Sequence, residues 1–278
     1  MSDHGQVLSA LSPRRRLLLL AMLVVVAVSG GTALIARLTS SAASMPRSRP
    51  SQAVPGPVLL VPGYGGRAAA FDVMLARLTA AGRSASLVAL PGGATGDLRE
   101  QARAVNRAVA AALAAGAPSV DLVGYSAGGV VVRLWAREYG GDRKARRIVT
   151  LGSPHHGTEV AALAGAVAPA ECVDACAQLE PGSSLLRELN AGDETPAGPQ
   201  WLSLWTTLDE LVTPPSTASL AGAVDVPLQS VCPDDRVGHG LLPADPLVVG
   251  LTLSALGPGS IAAPGPADCA RLRALGRG

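Results

Sequence analysis

Five residues, Gly124-Tyr125-Ser126-Ala127-Gly128, could turn a serine into a nucleophile. They read G-x-S-x-G. An apolar run, Ser119-Val120-Asp121-Leu122-Val123, precedes them, and a helical pattern runs on from Ala127 to about Tyr139. A serine on a sharp strand-to-helix turn is held clear of the sheet edge, with its hydroxyl facing solvent or substrate. Small flanking residues leave room for such a turn. The same five residues would also suit an ordinary glycine-rich turn, so the chemistry depends on partners.

A serine hydroxyl is a poor nucleophile near neutral pH. It needs an imidazole to take its proton and a carboxylate to orient that imidazole. The chain has four histidines. His4 precedes a long apolar segment and is expected on its other side. His155 and His156 leave the fourth apolar run, near the sheet edge but too early in the chain. They are expected to be structural or pocket-lining. His239 follows the last strand in Asp234-Asp235-Arg236-Val237-Gly238-His239-Gly240. A glycine-flanked loop there can bring the ring over Ser126, so His239 is the expected general base. The carboxylate is expected from the end of the preceding strand, in the order Ser…Asp…His. Asp209, after the run 201–208, fits that place. Glu210 is its neighbour, Asp225 opens the last strand at the wrong edge, and Asp234 and Asp235 are rivals close to His239. The oxyanion needs two backbone N–H donors. Ala127 supplies one at a helix N-terminus, and Tyr64, in the loop Pro62-Gly63-Tyr64-Gly65-Gly66, is expected to supply the other.

These residues must be positioned by a sheet. From Pro57 onward, short apolar runs alternate with helical segments, the pattern of a parallel sheet wrapped by helices. Strands are expected at 58–61, 86–90, 120–123, 147–151, 201–208 and 226–231. Helices are expected at 68–81, 97–115 with Asp97 as N-cap, 127–139 and 245–256. The stretch 158–200 breaks the rhythm. It is expected to hold one or two short helices and to form a lid or a substrate-pocket wall. Its Ala, Leu and Val could build an apolar acyl pocket.

With 278 residues, 48% of them hydrophobic, the chain can bury one sizeable core. Aromatics make up 3%, so Leu, Val and Ala must fill it. The net charge of +2 is uneven: residues 1–49 carry six arginines against Asp3, and the remainder is left at −3. An acidic main body argues against nucleic-acid binding. Arg14-Arg15-Arg16 precedes a charge-free run, 17–36, long enough to span a bilayer. Residues 1–16 are therefore expected in the cytoplasm and 17–36 as a transmembrane signal anchor, with a cleaved signal peptide as the alternative. Residues 37–56 read as a linker and 57–278 as the catalytic domain. Four cysteines, an even count, suit disulfides in a translocated chain. Three pairings exist. Cys172–Cys176 and Cys232–Cys269 are preferred, the second because it would pin the C-terminal tail, while free buried cysteines remain the alternative. Asp234 and Asp235 do not by themselves make a calcium ligand set.

Taken in order, several motifs resemble the α/β-hydrolase fold, and more narrowly the small bacterial secreted triacylglycerol lipase/esterase family. They are Val61-Pro62-Gly63-Tyr64-Gly65-Gly66, the turn at Ser126, Thr150-Leu151-Gly152-Ser153-Pro154-His155-His156-Gly157-Thr158, Asp209 with Val212 and Pro214, and His239 with Leu241 and Leu242. That family often has His-Gly where this chain has Pro62-Gly63. The resemblance implies an α/β chain with a mostly parallel sheet of about six strands, helices on both faces and a short insertion between the fourth and fifth strands. It also implies carboxylic-ester hydrolysis through an acyl-enzyme, with no cofactor. The expected partners are an acyl ester or lipid substrate and the membrane, through the N-terminal segment. A monomer is expected, held at the membrane with an extracytoplasmic catalytic domain, or secreted if the segment is cleaved. Acyl transfer or thioester hydrolysis would use the same three side chains. A membrane-tethered binding protein on this scaffold would have no reason to keep them.

Overall fold

A computed structural model describes residues 48–172 and 174–278. The expected cytoplasmic segment, anchor and most of the linker lie outside the described residues. Among those described, no helix is long and apolar enough to cross a membrane.

The elements run β1 (Val58–Val61), α1 (Asp72–Ala80), β2 (Ala85–Leu87), α2 (Leu98–Ala114), β3 (Val120–Tyr125), α3 (Ala127–Glu138) and β4 (Ala145–Leu151). Then come α4 (Glu159–Val167), α5 (Ala175–Gln178), α6 (Ser184–Leu189), β5 (Gln200–Trp205), β6 (Val224–Pro227), α7 (Leu228–Val231), α8 (Pro246–Ala255) and α9 (Cys269–Arg277). Six strands form one sheet in the order β2-β1-β3-β4-β5-β6, and every neighbouring pair is parallel. All four residues of β1 are buried, as in a strand covered on both faces.

Side chains alternate across a strand, and here the alternation sorts the core into two layers. Leu59 and Val61 pack with α2, α3 and the 158–200 insertion. Val58 and Leu60 pack with α1, α7 and α8. Helix α3 lies against the middle of the sheet, and every residue from Ala127 to Ala136 is buried. Asp97 caps α2 by accepting from the Arg99 and Glu100 amides. Asp245 caps α8 in the same way, with Pro246 at the first helical position, where its missing N–H costs nothing.

Several boundaries differ from the sequence expectation. The second strand stops at Leu87, because Pro91-Gly92-Gly93 already belongs to a short 3-10 turn. The run 201–208 is strand only to Trp205. The last strand is Val224–Pro227, and Leu228–Val231 coils into α7. Pro227 has no N–H to continue a ladder and is tolerated because β6 is an edge strand. The insertion holds three short helices rather than one or two. Helix α9 was not anticipated. Both preferred disulfides are formed: Cys172–Cys176 within the insertion, and Cys232–Cys269 between the segment after α7 and the start of α9.

Candidate active site

Because the strands are parallel, the loops after β1, β3, β4 and β5 leave the same edge of the sheet. Ser126 stands where β3 turns into α3, with φ 54° and ψ −129°. A non-glycine residue pays for that backbone, of order 1–3 kcal/mol, and keeps it only where the surroundings enforce it. The enforcement here is backbone against backbone. A Cβ at Gly124 would sit 2.6 Å from Gly129 Cα, and one at Gly128 would sit 2.3 Å from the Val61 carbonyl oxygen. Small residues flank Ser126 because α3 starts in contact with the ends of β1 and β3.

His239 and Asp209 converge on that turn from 113 and 83 residues further along the chain. His239 Nε2 lies 3.0 Å from Ser126 Oγ. His239 Nδ1 lies 2.8 Å from Asp209 Oδ2. Both His239 and Asp209 are buried. The other carboxylate oxygen, Asp209 Oδ1, accepts from the Leu211 and Val212 amides at 3.0 and 2.7 Å. These bonds hold the carboxylate plane and leave Oδ2 for the ring. An ionised carboxylate only accepts, so Nδ1 must carry the proton, and Nε2 of the neutral ring is left to accept from the serine hydroxyl.

The rival carboxylates are engaged elsewhere. Asp234 and Asp235 both bind Arg273 on α9, at 2.9 and 3.0 Å. Asp225 accepts from Trp205 Nε1 and Ser219 Oγ. A cluster of Cys232, Asp234 and Cys269 offers no metal site through its sulfurs, since the two cysteines are bonded to each other. His155 is fully buried, with Nε2 3.1 Å from Thr150 Oγ1. His156 is bonded to Glu194 and the Thr217 carbonyl. Both therefore serve structure, and neither lines the cavity beside Ser126.

That cavity measures about 400 Å³ and is mainly apolar. Ser126, Tyr64 and Ala127 stand in its wall together with Ala161, Leu179 and the Cys172–Cys176 bridge. Ala127 is the first residue of α3, so its N–H has no carbonyl four residues back to bond.

Sequence reasoning missed Gly152, at the end of β4. Its φ is +50°, and a Cβ there would lie 2.5 Å from Leu242 Cδ1 and 3.2 Å from both Asp209 Oδ2 and His239 Nδ1. The signal was present: a glycine directly after a strand, between the strands that carry the serine and the aspartate.

The family model described as palmitoyl protein thioesterase matches residues 57–189. No curated protein matches the chain. Among solved structures, lipase B of Aspergillus fumigatus is similar at 19% identity and a TM-score of 0.61, over 84% of this chain and 64% of that one. This chain thus spans less than two thirds of the Aspergillus protein. The mature form of the Bacillus licheniformis lipase BlEst2 is similar at 18% identity and a TM-score of 0.61, over 77% of this chain and 96% of that one. Likeness at such low identity speaks for architecture: the chain has the α/β-hydrolase fold.

Proposed function

We propose that the protein is a serine hydrolase that cleaves carboxylic esters through an acyl-enzyme on Ser126. The observation that carries this reading is the unbroken line Ser126 Oγ, His239 Nε2, His239 Nδ1, Asp209 Oδ2, with contacts of 3.0 and 2.8 Å. His239 takes the serine proton as Oγ attacks the ester carbonyl carbon. Asp209 holds the ring in the required tautomer and stabilises its charged form. The Tyr64 and Ala127 amides bind the oxyanion. When the tetrahedral intermediate collapses, the C–O bond breaks and His239 returns the proton to the departing alcohol. A water then attacks the acyl carbon while His239 accepts its proton; the acyl C–Oγ bond breaks, His239 returns the proton to Ser126 Oγ, and the free acid leaves. The apolar cavity beside Ser126 supports an acyl chain as the part of the substrate held there. The two disulfides support an oxidising, extracytoplasmic setting for this domain.

The match of residues 57–189 favours a second reading, hydrolysis of acyl thioesters. The same residues would serve. A thiolate leaves more readily than an alkoxide, so protonation by His239 would matter less.

The test is hydrolysis of p-nitrophenyl esters of graded chain length by the full chain and by Ser126→Ala. Loss of activity by a factor of 10³ or more is expected in the variant, on the order seen when a nucleophile is removed. A fluorophosphonate should label the parent and not the variant. An unlabelled, inactive parent would refute the reading. Oxygen and sulfur esters of one acyl chain, compared side by side, separate the two substrate classes.

A further inference from the structure

His239 sits between two glycines, Gly238 and Gly240. Glycines leave the backbone on either side free to turn, yet the proposed chemistry needs the ring held in one place. Asp209 alone cannot do this, because one hydrogen bond at Nδ1 leaves the ring free to swing about that contact.

Two further side chains grip the backbone of His239. Glu210 Oε2 accepts a hydrogen bond from the His239 N–H at 3.1 Å. Tyr125 Oη donates one to the His239 carbonyl at 3.0 Å. Both polar groups of that residue's main chain are thus fixed by side chains. The glycine before the histidine makes room for the first contact: a Cβ on Gly238 would lie 2.8 Å from Glu210 Oε2. The Tyr125 ring also lies beside the imidazole, with centroids 5.2 Å apart and planes 32° from parallel. Phe71 meets the Tyr125 ring edge-on at 6.2 Å, which holds the ring itself. Burial, helped by the charges of Asp209 and Glu210, pushes the Tyr125 hydroxyl up to about 12, so it remains a donor.

Placement in the chain gives these contacts their meaning. Tyr125 directly precedes Ser126, and Glu210 directly follows Asp209. Each partner of the histidine ring is joined by one peptide bond to a residue that fixes the histidine backbone. The two groups that fix the histidine backbone are thus anchored directly beside the two groups its ring must meet. Glu210 does not compete with Asp209, because it addresses the main chain and leaves the ring alone.

We propose that Tyr125 and Glu210 are positioning residues that hold His239 in line between Ser126 and Asp209. The inference rests on the serine-hydrolase reading above. It goes beyond that reading by assigning a role to two residues outside the three reacting ones.

The experiment uses the full chain and three variants: Tyr125→Phe, Glu210→Ala and Glu210→Gln. Competent sites are counted by the fluorophosphonate burst, and kcat is expressed per labelled site. A purely structural role would lower the number of sites and leave the rate per site unchanged. A positioning role lowers the rate per site. Tyr125→Phe and Glu210→Ala are each expected to lose about tenfold in kcat, the size of one lost hydrogen bond, with KM unchanged. Glu210→Gln keeps an oxygen acceptor and should stay within threefold of the parent. Per-site rates within twofold of the parent in both Tyr125→Phe and Glu210→Ala would overturn the proposal while leaving the hydrolase reading intact. So would a Glu210→Gln no better than Glu210→Ala. If the parent itself neither turns over esters nor takes the label, the hydrolase reading falls first and the positioning role falls with it.

Discussion

Gly152 gives the Asp209–His239 contact its space. With φ at +50° and no Cβ, it leaves both polar atoms of the pair free of a neighbour 3.2 Å away. Gly152→Ala is expected to displace that contact. We expect kcat to drop at least tenfold while fluorophosphonate labelling slows in parallel. Left-handed backbone should also take about 1–2 kcal/mol from stability. Unchanged kcat would show that the loop relaxes without harm. His155 bears on stability instead. Burial holds its pKa well below the ordinary 6.5, with the charges of Arg133 and His156 adding to the effect. Below pH 6.5 the unfolded chain binds a proton there that the folded chain does not. Stability from this group is therefore present above pH 6.5 and is lost as pH falls below it, with a slope of at most about 1.4 kcal/mol per pH unit. Urea unfolding at pH 7, 6 and 5 should show this slope, and His155→Asn should flatten it. Equal slopes in the two proteins would contradict the assignment.

At the scale of elements, the insertion supplies much of the cavity's wall. Helix α4 presents Ala161 inward, while Leu163 and Val167 face solvent at 63% and 72% exposure. An apolar residue on both sides erases the periodicity by which a surface helix is normally read. For that reason 158–200 showed no clear helical pattern in sequence. The insertion is tied back to the sheet domain by Gln178, whose side chain accepts from the Leu98 amide and donates to Asp97 at the start of α2. The Cys172–Cys176 bridge closes the same wall. Ala164 also lines the cavity. Ala164→Phe should fill part of it, lowering kcat/KM for long acyl esters at least tenfold while short ones stay within about threefold, since each buried methylene contributes about 0.8 kcal/mol. An unchanged chain-length profile would remove the cavity from the account of specificity.

Across the whole molecule, one buried carboxylate gathers the edge of the sheet opposite the site. Asp121, in β3, accepts from Arg146 at 3.0 and 2.6 Å and from Arg83 at 2.6 Å. Arg146 also reaches the carbonyls of Gln52, Leu256 and Gly257. The segment before β1, two central strands and the end of α8 thereby meet at one charge cluster. Asp121→Asn would leave two arginines without their counter-ion, which costs about 3–5 kcal/mol when the charge stays buried. Chemical unfolding should show that loss, while kcat per labelled site stays within twofold because Ser126 lies at the far end of β3. The cluster also explains a misplaced boundary. The strand expected at 147–151 begins at Ala145: Arg146 looks like the polar flank of a strand, yet it is buried inside β4 beside Arg147. What shelters Arg146 is Asp121 and distant carbonyls, and what shelters Arg147 is the Gln200 side chain and the Gly259 carbonyl; no local pattern announces either.

The sequence alone determined what depends on a few neighbouring residues. The strand–turn–helix at Ser126 follows from small residues around a serine, and the Asp97 cap from an aspartate before a helical run. The parallel six-strand sheet follows from apolar runs spaced by helices. Tertiary structure decided what depends on separation in space. Chain order already favoured Asp209 over Asp234 and Asp235; the register of β5 beside β4 is what brings it to His239, while Arg273 on α9 takes the other two. The space at Gly152 and the grip of Tyr125 and Glu210 on His239 arise in the same way. Local propensity acts over a turn of chain, whereas these contacts join segments tens of residues apart, and their geometry exists only once the sheet has set the strands side by side.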